Sequence, residues 1–375
     1  MKNVNCLLSI SLALLSSLPC FPTAKYLSLR EVIDIAKKRS YDAKSARFRF
    51  VADYWSFRSF KAELLPSVNL SGSLLNFDHS KVETRNADNG LINYVDNNSL
   101  TNSLTLSVDQ QLPGLGGTVS LQSYLYRLDQ FNYDMTTYNS QPLRITYTQP
   151  LRSYNSLKWR KKTAPVEYEI AQREYLEDME RVTVKATQLY FDVVSAQTDY
   201  KQSVKNYDDL QKLYEMAQKR FSLGTITKSD ILQLELSVLN AKLAVTNGKL
   251  NLDNQLFYLF SYLRLSDYEG VELAVPDQIP DMVINVNDAV AYALANSSHV
   301  TTQNLTTLKA RQTVAQAHSQ KGIQVQLRSE LGFNKTDSRF TGAYRNLRDN
   351  ELIGVSLTLP IFDWGVSKGK VHAAE

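Results

Sequence analysis

The chain has 375 residues, 43% of them hydrophobic, with a net charge of +4 and a mean hydropathy of −0.30. This hydropathy excludes a membrane protein built from apolar helices, and the charge is too small to indicate nucleic acid as a partner. The 21 tyrosines stand out, because tyrosine is enriched in sheets and at membrane interfaces.

The N-terminus has the pattern of a secretory signal peptide. Lys2 precedes the apolar run Cys6–Phe21, which is followed by Pro22, Thr23 and Ala24. The run is about 16 residues long, short of the ~20 that a spanning helix needs. We predict that residues 1–24 are cleaved near Ala24, with an uncleaved anchor or lipidation at Cys20 as alternatives. Both cysteines lie in this segment, so the mature chain would have no disulfide and no thiolate metal site.

Residues 25–65 have helical spacing. Ser28 and Glu31 fit the capping box at a helix N-terminus. The apolar positions that follow are Val32, Ile35, Ala36 and Ala43.

Residues 66–151 alternate between apolar and polar side chains, which is the period of strands with one apolar face. The alternating apolar positions are Val68, Leu70 and Leu74, then Leu104, Leu106 and Val108, then Val119, Leu121 and Leu125, then Leu143, Ile145 and Tyr147. After the signal segment no stretch approaches about 18 consecutive apolar residues. A membrane crossing would therefore have to use strands of a closed barrel.

Residues 152–265 predict a long helical hairpin. The apolar and aromatic positions from Val182 to Phe221 have a mean step of about 3.5 residues, the coiled-coil period. A helix from about Lys158 to Leu223 would be on the order of 100 Å long. Gly224 suits the left-handed cap that ends this helix, and Thr227 or Ser229 could cap the next one.

The later part of the chain repeats the first. Asp288–Ala293 aligns with Glu31–Ala36 at an offset of 257 residues. Val355–Ile361 aligns with Ile145–Leu151 at an offset of 210, so the first repeat has 47 more residues than the second. This surplus could form additional barrel strands or a hairpin outside the barrel.

The internal repeat predicts the remaining segments of the chain. They are an equatorial linker at 266–285, a helical segment at 286–322, barrel strands at 323–363 and the start of a second helical hairpin at 364–375. Repeat one continues into a whole hairpin at the corresponding point, and we interpret the chain as lacking the rest of the second one.

Two strands per repeat would give four per chain, too few for a barrel, since small barrels have about eight. Three copies would supply twelve strands and would also give the helices neighbours on both sides.

Together these features resemble the TolC-type outer-membrane efflux family. The motifs that carry the resemblance are Leu29–Ala36, Leu64–Ser73, Arg220–Thr225 with Ser229–Glu235, and Gly354–Gly365. The resemblance covers about residues 27–375. It implies an α+β membrane protein, a TolC-like channel-tunnel protomer whose strands contribute to a trimeric 12-stranded outer-membrane β-barrel above long periplasmic helices.

The resemblance also implies a function and partners. The chain would be a passive channel component of a tripartite efflux or type I secretion system. Its partners would be two further copies in a homotrimer, a periplasmic adaptor, an inner-membrane pump linked through that adaptor, and outer-membrane lipid. The tip residues expected to contact the adaptor are Arg220, Leu223, Gly224, Thr225 and Asp230. The residues expected on the barrel strand faces are Val68, Leu70, Ile145, Tyr147, Val355 and Leu357.

Some features permit two interpretations. Arg220 and Asp230 could be solvated charges, could pair with each other or could contact the adaptor. An aromatic girdle or simple packing could explain Tyr94, Tyr124, Tyr126, Tyr133, Tyr138 and Tyr147.

The sequence has no recognisable catalytic motif. The four histidines, His79, His299, His318 and His372, lack HExxH spacing, and there is no GxSxG or P-loop. We therefore expect no enzymatic activity, no cofactor and no metal. The alternative functions are a periplasmic coiled-coil adaptor or structural protein without channel activity and, less favoured, a secreted hydrolase.

Overall fold

The computed structural model describes residues 25–85, 92–266, 270–275 and 284–375. The predicted signal peptide, with Cys20, lies outside the described residues, and so does part of the predicted linker 266–285. The chain divides into two compact units, residues 1–47 with 176–283 and residues 48–175 with 284–375.

Long helices and long strands make up most of the described chain. In chain order the elements are β1 (Lys25–Leu27), α1 (Leu29–Arg39), α2 (Tyr41–Glu63), β2 (Ser67–Arg85), β3 (Ile92–Gln111), β4 (Thr118–Gln130), β5 (Met135–Pro150), α3 (Ser156–Ser222), α4 (Lys228–Leu263), β6 (Val271–Leu273), α5 (Val286–Asn296), α6 (Ser298–Gln320), β7 (Gln324–Asp337), β8 (Arg348–Thr358) and α7 (Val366–Ala374).

The helix boundaries follow the offset of the internal repeat. Helices α5 and α6 begin and end 257 residues after α1 and α2, and β7 begins 257 residues after β2. Each repeat interrupts its helical segment at a serine, Ser40 or Ser297, whose hydroxyl accepts a hydrogen bond from the backbone N–H of Ala43 or His299 at 3.2 Å. These serines divide what the sequence pattern suggested was a single helical segment into two.

The first unit contains α4 and α3 from residue 176 onward, which is most of the helical hairpin. Helix α3 has 67 residues and α4 has 36, which confirms the predicted long helices. The core of this unit joins α1, α3, α4 and the short parallel pair β1–β6 through buried residues such as Val32, Tyr190, Leu259 and Leu263. The Tyr190 hydroxyl donates to the carbonyl oxygen of Ala274 and lies 3.3 Å from that of Leu27. None of the described helices is long and apolar enough to cross a membrane.

The second unit contains an antiparallel sheet of six strands in the order β2-β3-β4-β5-β7-β8. The prediction of four strands per chain is therefore wrong for the described residues, which form six, whereas the twelve-stranded trimeric barrel stays a prediction. The surplus of the first repeat forms the hairpin β3–β4, which pairs with β2 on one side and β5 on the other. The repeat offsets could not reveal this, because the hairpin has no counterpart in the second repeat.

Candidate functional site

The six predicted strand-face residues lie on the same face of the sheet. In the register, Val68 is opposite Val108 and Leu70 is opposite Leu106. Ile145 lies between Leu121 and Leu331. The same alternation brings Tyr147, Val355 and Leu357 to this face, because successive side chains of a strand point to opposite sides.

This face carries apolar side chains on all six strands, with a few polar side chains such as Ser123 and Glu351 among them. Leu104 and Leu106 of β3 lie beside Leu125 and Ser123 of β4, and Val108 lies beside Leu121. In the second repeat, Leu327 and Leu331 of β7 carry it toward β8. We define the apolar sheet face as Val68, Leu70, Leu104, Leu106, Val108, Leu121, Leu125, Ile145, Tyr147, Leu327, Leu331, Val355 and Leu357.

The opposite face of the sheet is polar and holds charges that the sequence analysis did not single out. Arg144 of β5 lies 3.5 Å from the carboxylate of Glu330 of β7, and Arg328 lies 3.3 Å from it. Arg144 also donates to Gln122 at 3.1 Å and Gln141 at 3.0 Å. The sequence did contain a signal for these residues, because Arg144, Arg328 and Glu330 are charged residues at the polar positions of alternating strands.

A second polar network ties the first three strands of the sheet together. The Asp109 carboxylate of β3 accepts from Ser120 of β4 at 2.5 Å, from Ser107 at 2.8 Å and from Asn69 of β2 at 3.3 Å. These groups lie at the end of the sheet where β2 begins.

The tip of the helical hairpin is a Schellman motif centred on Gly224. Gly224 has φ +75°, its N–H donates to the Phe221 carbonyl at 2.9 Å, and the Thr225 N–H donates to the Arg220 carbonyl at 3.0 Å. The Thr225 hydroxyl donates to the same Arg220 carbonyl at 2.8 Å. The turn is thus fixed by its own backbone, and Leu223 remains 76% exposed at its apex.

Asp230 has a local structural contact at the tip. Its carboxylate accepts from the Thr227 backbone N–H at 3.0 Å and from the Thr227 hydroxyl at 2.7 Å, completing a capping box at the start of α4. The Thr227 hydroxyl, followed by its N–H, lowers the pKa of Asp230.

Helix α4 carries a second apolar seam that was not named from the sequence. One seam, including Ala241, Leu256, Leu259 and Leu263, is buried. The other is more than half exposed and consists of Leu232, Leu236, Leu239, Leu243 and Leu250. Its spacing by threes, fours and a seven is the coiled-coil period, so the sequence did contain the signal.

The tyrosines of the sheet do not share one face. Tyr124 and Tyr126 stack on the polar face, with ring centroids 6.4 Å apart, because their register partners are Thr105 and Ser103. Tyr138 and Tyr147 belong to the apolar side. These tyrosines therefore do not form a single girdle on one face of the sheet, and the two interpretations, girdle and packing, stay predictions.

The described residues contain no group of three histidine, cysteine, aspartate or glutamate side chains placed to hold a metal ion.

A comparison with protein families finds one match. Residues 95–263 match the model of the outer membrane efflux protein family. The match covers less than half of the chain and shows a similarity to this family over that segment. It includes most of β3 and all of β4, β5, α3 and α4, so the efflux-family segment joins sheet strands to the helical hairpin. The resemblance predicted from the sequence is confirmed.

Solved outer-membrane channels have the same fold. The CmeC channel of Campylobacter jejuni matches with a TM-score of 0.59 and 18% identity, covering 92% of this chain and 64% of that chain. VceC of Vibrio cholerae matches at 0.60 and 15%, covering 92% and 71%. MtrE of Neisseria gonorrhoeae, in its open state, matches at 0.55 and 13%, covering 92% and 66%. A comparison with curated proteins finds no match.

These findings confirm the predicted fold class, a TolC-like protomer of long helices and amphipathic strands. The match to an outer membrane efflux family agrees with the predicted localisation, the cell outer membrane with an extension into the periplasm. The chain spans 64% of the length of the Campylobacter channel.

Proposed function

We propose that this chain forms part of the wall and part of the periplasmic tunnel of an outer-membrane export channel. The observation that carries the proposal is the apolar sheet face, which has members on all six paired strands. Such a face is stable against lipid, and the polar face behind it suits a water-filled lumen. No catalytic step is part of the proposal, and conduction is passive.

The channel is proposed to be a homotrimer. An amphipathic sheet in lipid cannot leave its edges unpaired, because each unpaired backbone group costs roughly several kcal/mol in that environment. The second seam of α4 likewise needs a neighbouring helix, since a row of more than half-exposed leucines is stabilised by coiled-coil packing. Closure by rotational symmetry satisfies both needs at once.

The hairpin tip is proposed as the docking point for a periplasmic adaptor, through which an inner-membrane pump supplies the energy. In support, the tip is rigid, since Gly224 and Thr225 bind back to the end of α3, and it presents the apolar side chain of Leu223. Asp230 and Thr227 hold the start of α4 in place, so Asp230 would act mainly by shaping the tip.

Membrane fractionation tests the channel proposal. The full-length protein should be recovered from the outer membrane as a trimer that dissociates only on heating. Recovery as a soluble periplasmic monomer would contradict the channel and favour the alternative, a coiled-coil adaptor or structural protein.

Co-purification with the adaptor tests the tip. Leu223→Asp should abolish recovery of the adaptor with the channel while the heat-resistant trimer is retained, because an aspartate cannot enter an apolar docking surface without desolvation. Leu223→Met is the matched control and should retain the adaptor. Normal adaptor recovery with Leu223→Asp would remove the tip from the interface.

A further inference from the structure

The β3–β4 hairpin lies within the wall of the sheet. Strand β3 pairs with β2 from Asp109 to Ile92, and β4 pairs with β5 from Thr118 to Gln130. Strands β2 and β5 are separated by these two strands. The hairpin is therefore not an appendage on an edge of the sheet.

The hairpin continues both faces of the sheet. Its contribution to the apolar sheet face includes Leu104, Leu106 and Leu121, whose register partners on β2 and β5 are also apolar or glycine. On the polar face, Asp109 binds Asn69 of β2 and Ser120 of β4. A hairpin outside the barrel would have no reason to match the wall on both sides.

The turn that joins β3 to β4 is anchored to the strand and helix that follow. Gln149 donates to the Leu115 carbonyl at 2.8 Å, and Asn155 donates to the Pro113 carbonyl at 2.9 Å. Within the turn, the Leu112 N–H donates to the Gly117 carbonyl at 2.8 Å. These bonds fix the hairpin at the end of β5 and the approach to α3.

The two edges of the sheet are complementary to each other. Strands β2 and β8 each pair on one side only within the described chain. Leu70 and Leu357, on these edge strands, are 72% and 64% exposed, whereas Leu121 and Ile145 in the middle are 41% and 43% exposed. All pairings are antiparallel and the strands number six, so β2 and β8 run in opposite directions. Copies related by a rotation axis would therefore meet in antiparallel pairs.

We propose that β8 of one protomer pairs with β2 of the next, so that three copies close a barrel of eighteen strands. The occupant of each edge is thus a second copy of this chain. The inference rests on the proposed trimeric channel, and it changes the expected width of the barrel through which the channel opens. Because barrel diameter grows roughly linearly with strand number, eighteen strands make a barrel about 1.5 times as wide as twelve, with about twice the cross-section.

Electron cryomicroscopy of the full-length trimer in lipid nanodiscs tests the strand number directly. Eighteen strands in a cross-section of the membrane region is the expected result. Twelve strands would overturn this inference and leave the proposed channel function intact. A particle without a trimeric barrel would overturn both.

A pair of adjacent substitutions tests whether the hairpin faces lipid. Leu106→Arg should prevent recovery of the heat-resistant trimer from the outer membrane, because it places a charge on the lipid side of β3. Thr105→Arg, on the polar face of the same strand, should leave trimer recovery close to that of the unmodified protein. Equal behaviour of the two variants, whether both assemble or both fail, would contradict the proposal.

Discussion

The two repeats share their helices and their first strand but differ in the number of strands that follow. Helices α5 and α6 reproduce the bounds of α1 and α2, while the first repeat has four sheet strands and the second has two. The difference is an even number of strands. An added hairpin returns the chain to the side of the sheet from which it left, so β5 can still enter α3.

A single added strand would have had a different effect. It would place the end of β5 at the opposite rim of the sheet and separate it from α3. A shift of one residue in register would exchange the apolar and polar faces. The hairpin avoids both outcomes, since it preserves strand direction and face, and this explains how a wall can be enlarged without changing the helical part of the repeat.

The largest expected effect comes from charging equivalent positions of the two repeats. Leu70 of β2 and Leu327 of β7 occupy corresponding positions on the apolar sheet face. Leu70→Arg and Leu327→Arg should each destabilise the membrane-inserted state by about 2–4 kcal/mol near the bilayer midplane and less toward the interfaces. The measurement is the amount of heat-resistant trimer in outer-membrane fractions.

The controls are the neighbouring polar-face residues. Asn69→Arg and Gln326→Arg place the same charge on the other side of the same strands, and both should assemble. If only one of the two leucine variants failed, the repeats would not be equivalent in the membrane.

The next effect concerns the turn that exists only in the first repeat. A Cβ at Gly117 would lie 2.9 Å from the Thr148 carbonyl oxygen and 2.5 Å from the Gln149 side-chain oxygen. Gly117→Ala should therefore lower the free energy of unfolding by about 1–3 kcal/mol. The temperature at which the trimer dissociates measures this change.

Gly114 provides the matched control in the same turn. A Cβ there has no neighbour within 4 Å, so Gly114→Ala should change stability by no more than about 0.5 kcal/mol. Equal loss in both variants would mean that the turn does not hold the hairpin against β5.

Much of this architecture could be predicted from the sequence, but strand pairing could not. Alternation at Leu104, Leu106 and Val108 predicts a strand and its apolar face. It does not identify the neighbouring strand, because pairing depends on the rest of the sheet. Gly224 was predicted from the sequence as the left-handed cap that ends α3, and its φ of +75° confirms this. The role of Asp230 was missed, although Thr227 three residues earlier is a capping pattern.

A smaller effect is expected at the junction between the repeats. Glu330 of β7 is nearly buried and lies 3.5 Å from Arg144 of β5. Glu330→Gln should destabilise the sheet by about 1–2 kcal/mol, since Arg144 keeps its bonds to Gln122 and Gln141. Arg348→Gln, at an exposed polar-face position of β8, is the control in the same dissociation measurement. An unchanged Glu330→Gln trimer would show that this ion pair does not hold the repeats together.

The smallest effect concerns a contact specific to the first repeat. Burial, followed by the negative charge of Asp42 in α2, raises the pKa of Tyr262 from 10.0 to about 12. In the second repeat the position corresponding to Asp42 is His299, so the helix there carries no carboxylate at that position.

The folded state keeps Tyr262 neutral where the unfolded chain would ionise it. The contribution of Tyr262 to stability is therefore complete below pH 10 and is lost as the pH rises through about 12. Between these pH values, the temperature at which the trimer dissociates should fall less steeply with pH for Tyr262→Phe than for the unmodified protein. Asp42→Asn should lower the pKa of Tyr262 only in part, because burial is the larger cause, and a return to the ordinary tyrosine pKa in that variant would assign the whole shift to the carboxylate.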